Sequence, residues 1–318
     1  MCDTPRTTCV VSLLLFATAI GHVIVSGDSR INNLLTLPVT SEAKRFFGVA
    51  STDWIVDPLC ATEQHNRSCT PTGKRWSSSL VSDSEPCEKL SGKRVAFVGD
   101  SYARHAYVAF LSWLSKNYRD ASLHPQHDSD CEYDAQYTEK ICRHQIIHQT
   151  TTCNGTVEVR LVYGASPTVS IDLLTEVDMI VWSVGRHPYN GDYSSRNGVN
   201  DAFAYYNNIF KPTCDTLNTT EFCEKVVWLD THVRVNAKFT DEAYENELAF
   251  HIESPTWIFR SCNVRRIASV WDATDRLVAL FPSDAKNMSF DGAHYGRAVN
   301  LLKAEASYEA WATAIPHC

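Results

Sequence analysis

Gly99-Asp100-Ser101 closes the apolar run 94–98, and Asp291 and His294 stand three apart near the far end of the chain, in "NMSFDGAHYGRAVNLL". A serine hydroxyl is barely ionised at neutral pH and needs a base before it can attack a carbonyl carbon. Histidine, with an unperturbed pKa of about 6.5, is the natural base. In a tight turn, D-x-x-H spacing lets the carboxylate accept from one imidazole nitrogen while the other faces outward. That is the orienting role of the acid in a Ser-His-Asp triad. The chemistry these residues would do is acyl transfer, with Ser101 as nucleophile, His294 as base and Asp291 as its orienter. A bare turn at Gly-Asp-Ser and a capping aspartate beside a surface histidine are the bland alternatives. The order of the two motifs, with strands and helices alternating between them, speaks for the site.

The elements that must hold these residues are legible as short β-branched runs and helical periodicities. Strands are expected over Arg94–Gly99, Val157–Tyr163, 178–184 and 225–230, and helices over 103–118, 241–251, 255–268 and 295–311. Strands joined by long connections with helices among them indicate an α/β fold, a mostly parallel sheet covered on both faces. Ala106, Ala109, Phe110, Trp113 and Asn117 recur at helical spacing, so one face of the helix after Ser101 should pack on the sheet. Ser101 then lies at the carboxyl end of a strand, where open α/β sheets bind ligands. It also lies at a helix N-terminus, where free N–H groups favour a developing anion.

The chain is 318 residues long, enough for one large domain or two small ones. Its net charge of −8 argues against a nucleic-acid partner. From Cys9 to Val25, 17 residues, only His22 is strongly polar. Residues 1–27 therefore read as a signal peptide cleaved after Gly27 or as a signal anchor, both of which direct the chain into the secretory pathway. Ten cysteines follow it: Cys60, Cys69, Cys87, Cys131, Cys142, Cys153, Cys214, Cys223, Cys262 and Cys318. An even set in that compartment reads as disulfides, with Cys214 and Cys223 the natural local pair. A metal cluster would call for C-x-x-C spacing, which the chain lacks, so no metal is expected. Four N-glycosylation sequons, at Asn66, Asn154, Asn218 and Asn287, fit the same compartment. Residues 28–43 form a polar stem and 44–90 a cysteine-bearing stretch without periodicity. "HPQHDSDC" at 124–131 carries metal-capable side chains in what reads as a polar loop. His232, ending a strand, is either structural or a substrate contact.

"GKRVAFVGDSYARHAY" followed far downstream by "DGAH" resembles the trichome birefringence-like and PC-esterase group, with the related sialic-acid and capsule O-acetyltransferases, in the SGNH/GDSL superfamily. The upstream "FFGVASTDWIVDPLC" is similar to that group's cysteine-bearing segment. The likeness spans roughly residues 45 to 315, although its specific motifs occupy about 25 of them. It implies a three-layer α/β/α catalytic domain over 44–318, with Ser101, His294 and Asp291 in the roles above. It places Arg104 near the acyl or acceptor site and Gly164 as a glycine oxyanion donor. In "DMIVWSVGRHPYN" the chain departs from the group's pattern. Ser183 stands where an asparagine donor is usual, so Ser183 or Arg186 would supply that contact, and His187 would be structural. The resemblance implies a glycan O-acetyltransferase working through an acetyl-serine, in the Golgi lumen as a single-pass type II membrane protein or else secreted. A carbohydrate acetyl esterase and a non-catalytic glycan-binding protein are the alternatives. No bound cofactor is implied. The acetyl donor would be acetyl-CoA or another acetyl ester, the partner a glycan acceptor, and either a separate membrane transporter or a luminal donor would supply acetyl groups.

Overall fold

A computed structural model describes residues 54–56, 74–76, 86–139, 141–164, 168–183, 211–218, 223–235, 264–267, 270, 274–275, 278, 285–286 and 288–312. A two-stranded antiparallel ribbon pairs β1 (Trp54–Val56) with β2 (Lys74–Trp76). The main sheet has six strands: β3 (Arg94–Gly99), β4 (Gln149–Thr152), β5 (Val157–Tyr163), β6 (Met179–Ser183), β7 (Val226–Leu229) and β8 (Arg265–Ile267). They run in the order β4-β5-β3-β6-β7-β8, all parallel except the edge strand β4.

Both faces are covered, which explains why β3 is an unbroken apolar run rather than an alternating one. Val95 and Phe97 join the core beneath helices α2 (Ser101–Ser115) and α5 (Arg297–Ala312). Ala96 and Val98 join the opposite core, with Leu173, Leu174 and Leu217 from α3 (Ile171–Glu176) and α4 (Lys211–Asn218). The result is the expected three-layer α/β/α arrangement. The Phe97 ring is fully buried and meets the rings of Tyr107 and Phe110 at 6.0 and 5.2 Å. Truncating it to alanine should cost about 3–5 kcal/mol.

Several sequence expectations are corrected. Helix α2 begins at Ser101 rather than Ala103, because the Asp100 side chain caps it by accepting from the Tyr102 N–H at 3.0 Å. It ends at Ser115, where Lys116 turns left-handed at φ 56°, so Asn117 lies outside it. Nor is it buried on one face alone: residues 101–114 are all buried, because α5 packs alongside α2 over the sheet and Leu123, Tyr137 and Ile146 of the following segment join the same core. Within the helix expected over 255–268, residues 265–267 form β8 instead, since pairing with β7 decides that stretch. The last helix starts at Arg297, two residues later than expected, and the helix expected over 241–251 lies outside the described residues.

Disulfides join Cys87 to Cys153 and Cys131 to Cys142, and Cys214 is also disulfide-bonded. The first ties α1 (Pro86–Leu90), the end of the cysteine-bearing N-terminal stretch, to the turn between β4 and β5. The side chain of Cys223 and the whole of residues 1–53 lie outside the described residues. Among the described residues no helix is long and apolar enough to cross a membrane.

Candidate active site

Strand β3 delivers the serine to the carboxyl edge of the sheet. Gly99 sits in register between Tyr163 of β5 and Ser183 of β6. A Cβ on Gly99 would overlap the Ser183 carbonyl oxygen and crowd the Ala103 side chain, so only glycine lets the strands close here. Ser101, 4 % exposed, is the first residue of α2, at the helix end that carries unpaired N–H groups.

The base arrives on a tight turn ahead of α5. Gly292, at φ +83°, makes the left-handed bend. Asp291 Oδ1 accepts from the backbone N–H groups of Ala293 and His294, both at 2.8 Å, while Oδ2 lies 2.8 Å from His294 Nδ1. A carboxylate partner requires the proton on Nδ1. That leaves Nε2 to accept from the Ser101 hydroxyl at 2.9 Å. Burial works to raise the Asp291 pKa, but the hydrogen bond and charge of His294, with the two amides, outweigh it and hold the carboxyl well below its usual range. Chain positions 193 residues apart thus form one hydrogen-bonded relay.

The turn is anchored from beneath. The Val235 N–H donates to the Gly292 carbonyl at 2.8 Å, and His232 Nε2 donates to the Ala293 carbonyl at 2.7 Å. The His232 ring stacks on Tyr102 with centroids 4.4 Å apart, and burial pushes its pKa well down, so it stays neutral. Fully buried, His232 is a support for the base turn and not a substrate contact. Lys303 of α5 lies below the same ring, fully buried, with Nζ 5.2 Å from the Tyr102 centroid and no hydrogen bond among the described residues. Burial lowers its pKa to about 7 against the opposing pull of Asp100.

Arg104 is three residues into α2 and 1 % exposed. Its Nη2 is ion-paired with Glu139 and lies 2.7 Å from His105 Nε2, while Nη1 reaches the Thr138 carbonyl at 3.4 Å. Burial lowers the Arg104 pKa and the Glu139 charge partly restores it. Burial and the neighbouring guanidinium together keep His105 neutral. Glu139 Oε1 also stands 3.2 Å from His105 Nε2 and 3.7 Å from His294 Nε2. Nothing in the sequence singled out Glu139. It belongs to the polar stretch closed off by Cys131 and Cys142, and that loop's position over α2 is its only signal.

The oxyanion candidates divide. The Gly164 N–H donates to the Gly99 carbonyl at 2.9 Å, continuing the β5–β3 ladder, so in this structure it is engaged and not free to serve as a donor. Ser183 ends β6, 1 % exposed, with no hydrogen-bond partner for Oγ among the described residues. Met179 and Val181 face the α2 side, and strand alternation puts Ser183 on that side too. Arg186 and His187 lie outside the described residues, as do Asn66 and Asn287. Asn154, in the turn between β4 and β5, and Asn218, at the end of α4, are exposed. Around the 124–131 loop, ligand-capable atoms of His127 and of the flanking Asp120 and Glu132 lie within 4.8 Å of one another. Arg119 already grips both Glu132 oxygens, at 2.7 and 2.8 Å, so that carboxylate is committed to an ion pair.

No family model and no curated protein matches the chain. Among solved structures, it is similar to the acetylxylan esterase Axe2 from Geobacillus stearothermophilus at 13% identity and a TM-score of 0.40, over 70% of this chain and 96% of that one. It is similar to a gut microbial diltiazem-metabolizing enzyme at 12% identity and a TM-score of 0.38, over 71% of this chain and 48% of that one.

Proposed function

We propose that this protein is a glycan O-acetyltransferase that works through an acetyl-Ser101 intermediate. The observation that carries the proposal is the unbroken relay from Ser101 through His294 to Asp291. Ser101 Oγ attacks the carbonyl carbon of an acetyl ester or thioester as its proton passes to His294 Nε2. The oxyanion forms at the start of α2, where the Ser101 N–H and the unpartnered Ser183 hydroxyl would receive it. Collapse expels the donor's leaving group with the proton from His294. A sugar hydroxyl then attacks the acetyl carbon and gives its proton to Nε2; the ester bond to Ser101 breaks, Oγ takes that proton back, and the acetylated glycan leaves. Asp291, held as a carboxylate, keeps the imidazole in the required tautomer and stabilises the imidazolium. The disulfides and the exposed sequon asparagines Asn154 and Asn218 support a place in the secretory pathway.

Incubation with 4-nitrophenyl acetate tests the reaction. Wild type should release nitrophenolate in a burst as Ser101 is acetylated, and Ser101→Ala should lose activity by about 10⁴-fold or more. Turnover that persists in Ser101→Ala would remove the nucleophile from the proposal. Added oligosaccharides that gain the mass of an acetyl group establish the transferase. Release to water alone, with no acetylated sugar, would make the protein an acetyl esterase.

A further inference from the structure

Glu139 places a second carboxylate beside the reacting nitrogen of the base, on the side opposite Asp291. We propose that Glu139 binds the acyl acceptor by receiving a hydrogen bond from the hydroxyl next to the one acetylated, so that the preferred acceptor is a vicinal diol of a sugar ring. The inference rests on the acetyl-Ser101 reading and deepens it by naming the acceptor class.

After acetylation, Ser101 Oγ no longer carries a proton, and the acceptor hydroxyl takes its place as donor to His294 Nε2. Glu139 Oε1 stands 3.7 Å from that nitrogen. This is too long for a good hydrogen bond between the two groups. It is the right span for two adjacent hydroxyls, one donating to Nε2 and the other to the carboxylate. The hydrogen bond that Glu139 accepts from Arg104 falls on Oε1, and Oε2 accepts none among the described residues. The side chain keeps 22 % exposure, so a ligand can reach it, whereas its partner Arg104 keeps 1 %. Arg104 fixes the carboxylate in place and balances its charge, so that it does not oppose an oxyanion forming on the acetyl group. No bond to Glu139 forms or breaks. The acceptor oxygen bonds to the acetyl carbon, its proton passes to Nε2, and that proton returns to Oγ as the ester bond to Ser101 breaks.

A purely structural Glu139 would neutralise buried Arg104 and have no preference among acceptors. The two roles separate in a competition assay with 4-nitrophenyl acetate as donor and trans-1,2-cyclohexanediol against cyclohexanol as acceptors, the acetylated products being counted by mass. Wild type should favour the diol by about tenfold or more per hydroxyl, the usual yield of one charge-assisted hydrogen bond. In Glu139→Gln the preference should fall close to unity, a ratio of two products that does not depend on how fast Ser101 is acetylated. Glu139→Asp keeps Arg104 paired but withdraws the carboxylate by one methylene. It should lower the preference too, and it guards against a folding loss in the glutamine variant. A diol preference equal to wild type in either folded variant, or no preference in wild type, overturns the inference. Absence of a burst in wild type instead refutes the acetyl-serine reading on which it stands.

Discussion

Replacing Lys303 by methionine should stabilise this protein at neutral pH and flatten its stability profile above it. The amine is fully buried under the base turn, the charge of Asp100 only partly offsets that burial, and the amine makes no hydrogen bond among the described residues. Burial lowers its pKa to about 7 in the folded chain, whereas an unfolded lysine holds its proton to about 10.4. Between those values the unfolded state binds more protons, so stability must rise with pH. The slope approaches about 1.4 kcal/mol per pH unit, and across the window it sums to on the order of 4 kcal/mol. Below pH 7 both states are protonated and the folded chain carries the whole cost of the buried charge. Methionine keeps the stem's packing and removes the amine, so Lys303→Met should gain up to that amount at pH 6 to 7 and nothing near pH 10. Urea midpoints followed by tryptophan fluorescence at pH 6, 8 and 9.5, with disulfides intact, give the difference between the two proteins at each pH. A variant less stable than wild type at pH 6, or a difference that does not shrink as pH rises, would show that the amine has a partner that satisfies its charge.

Asp291→Asn should lower kcat by about 10³ to 10⁴-fold, because an amide can hold the imidazole in the wrong tautomer; a stopped-flow ester assay on folded protein reads this. The depressed Asp291 pKa stabilises the fold above pH about 3.9 and the benefit fades as pH falls through the folded value, so wild type and Asp291→Asn should converge in acid melts. Gly99→Ala drives a Cβ into the Ser183 backbone and should destabilise by about 4 kcal/mol or more, seen as loss of soluble, cooperative folding. Ser183→Ala should lose about 10²-fold in kcat without losing thermal stability, since the hydroxyl it removes has no hydrogen bond in the resting site. An unchanged kcat would take Ser183 out of the oxyanion site. Opening the Cys131–Cys142 bridge with paired serines should cost about 3 kcal/mol by loop entropy. It should also loosen Glu139, so the diol preference should fall together with the melting temperature.

What could be read from the sequence and what could not divide along a physical line. Asp291 and His294 were legible because one turn sets their mutual geometry: the carboxylate takes two amides of its own turn before it takes the imidazole. Gly99 and Ser101 were legible because strand, bend and helix are contiguous and each leaves a local pattern. The segment 265–267 was misread because three residues beside a helical periodicity say little until β7 lies next to them. Gly164 shows a related limit. A glycine after a strand looks available until the ladder it extends is known, and here the Gly99 carbonyl takes its N–H. Glu139 lay beyond sequence reasoning altogether. Its role depends on a disulfide-closed loop coming down on the first turn of α2, 35 residues from Arg104 in the chain, with no spacing rule to announce it. The acid that orients the base is therefore encoded locally, while the acid facing the acceptor is encoded by tertiary packing. If that division holds, reaction type is carried by the two short motifs and acceptor choice by the loop between Cys131 and Cys142. Substitutions confined to that loop should then alter which hydroxyl compounds are acetylated while the rate of Ser101 acetylation stays the same.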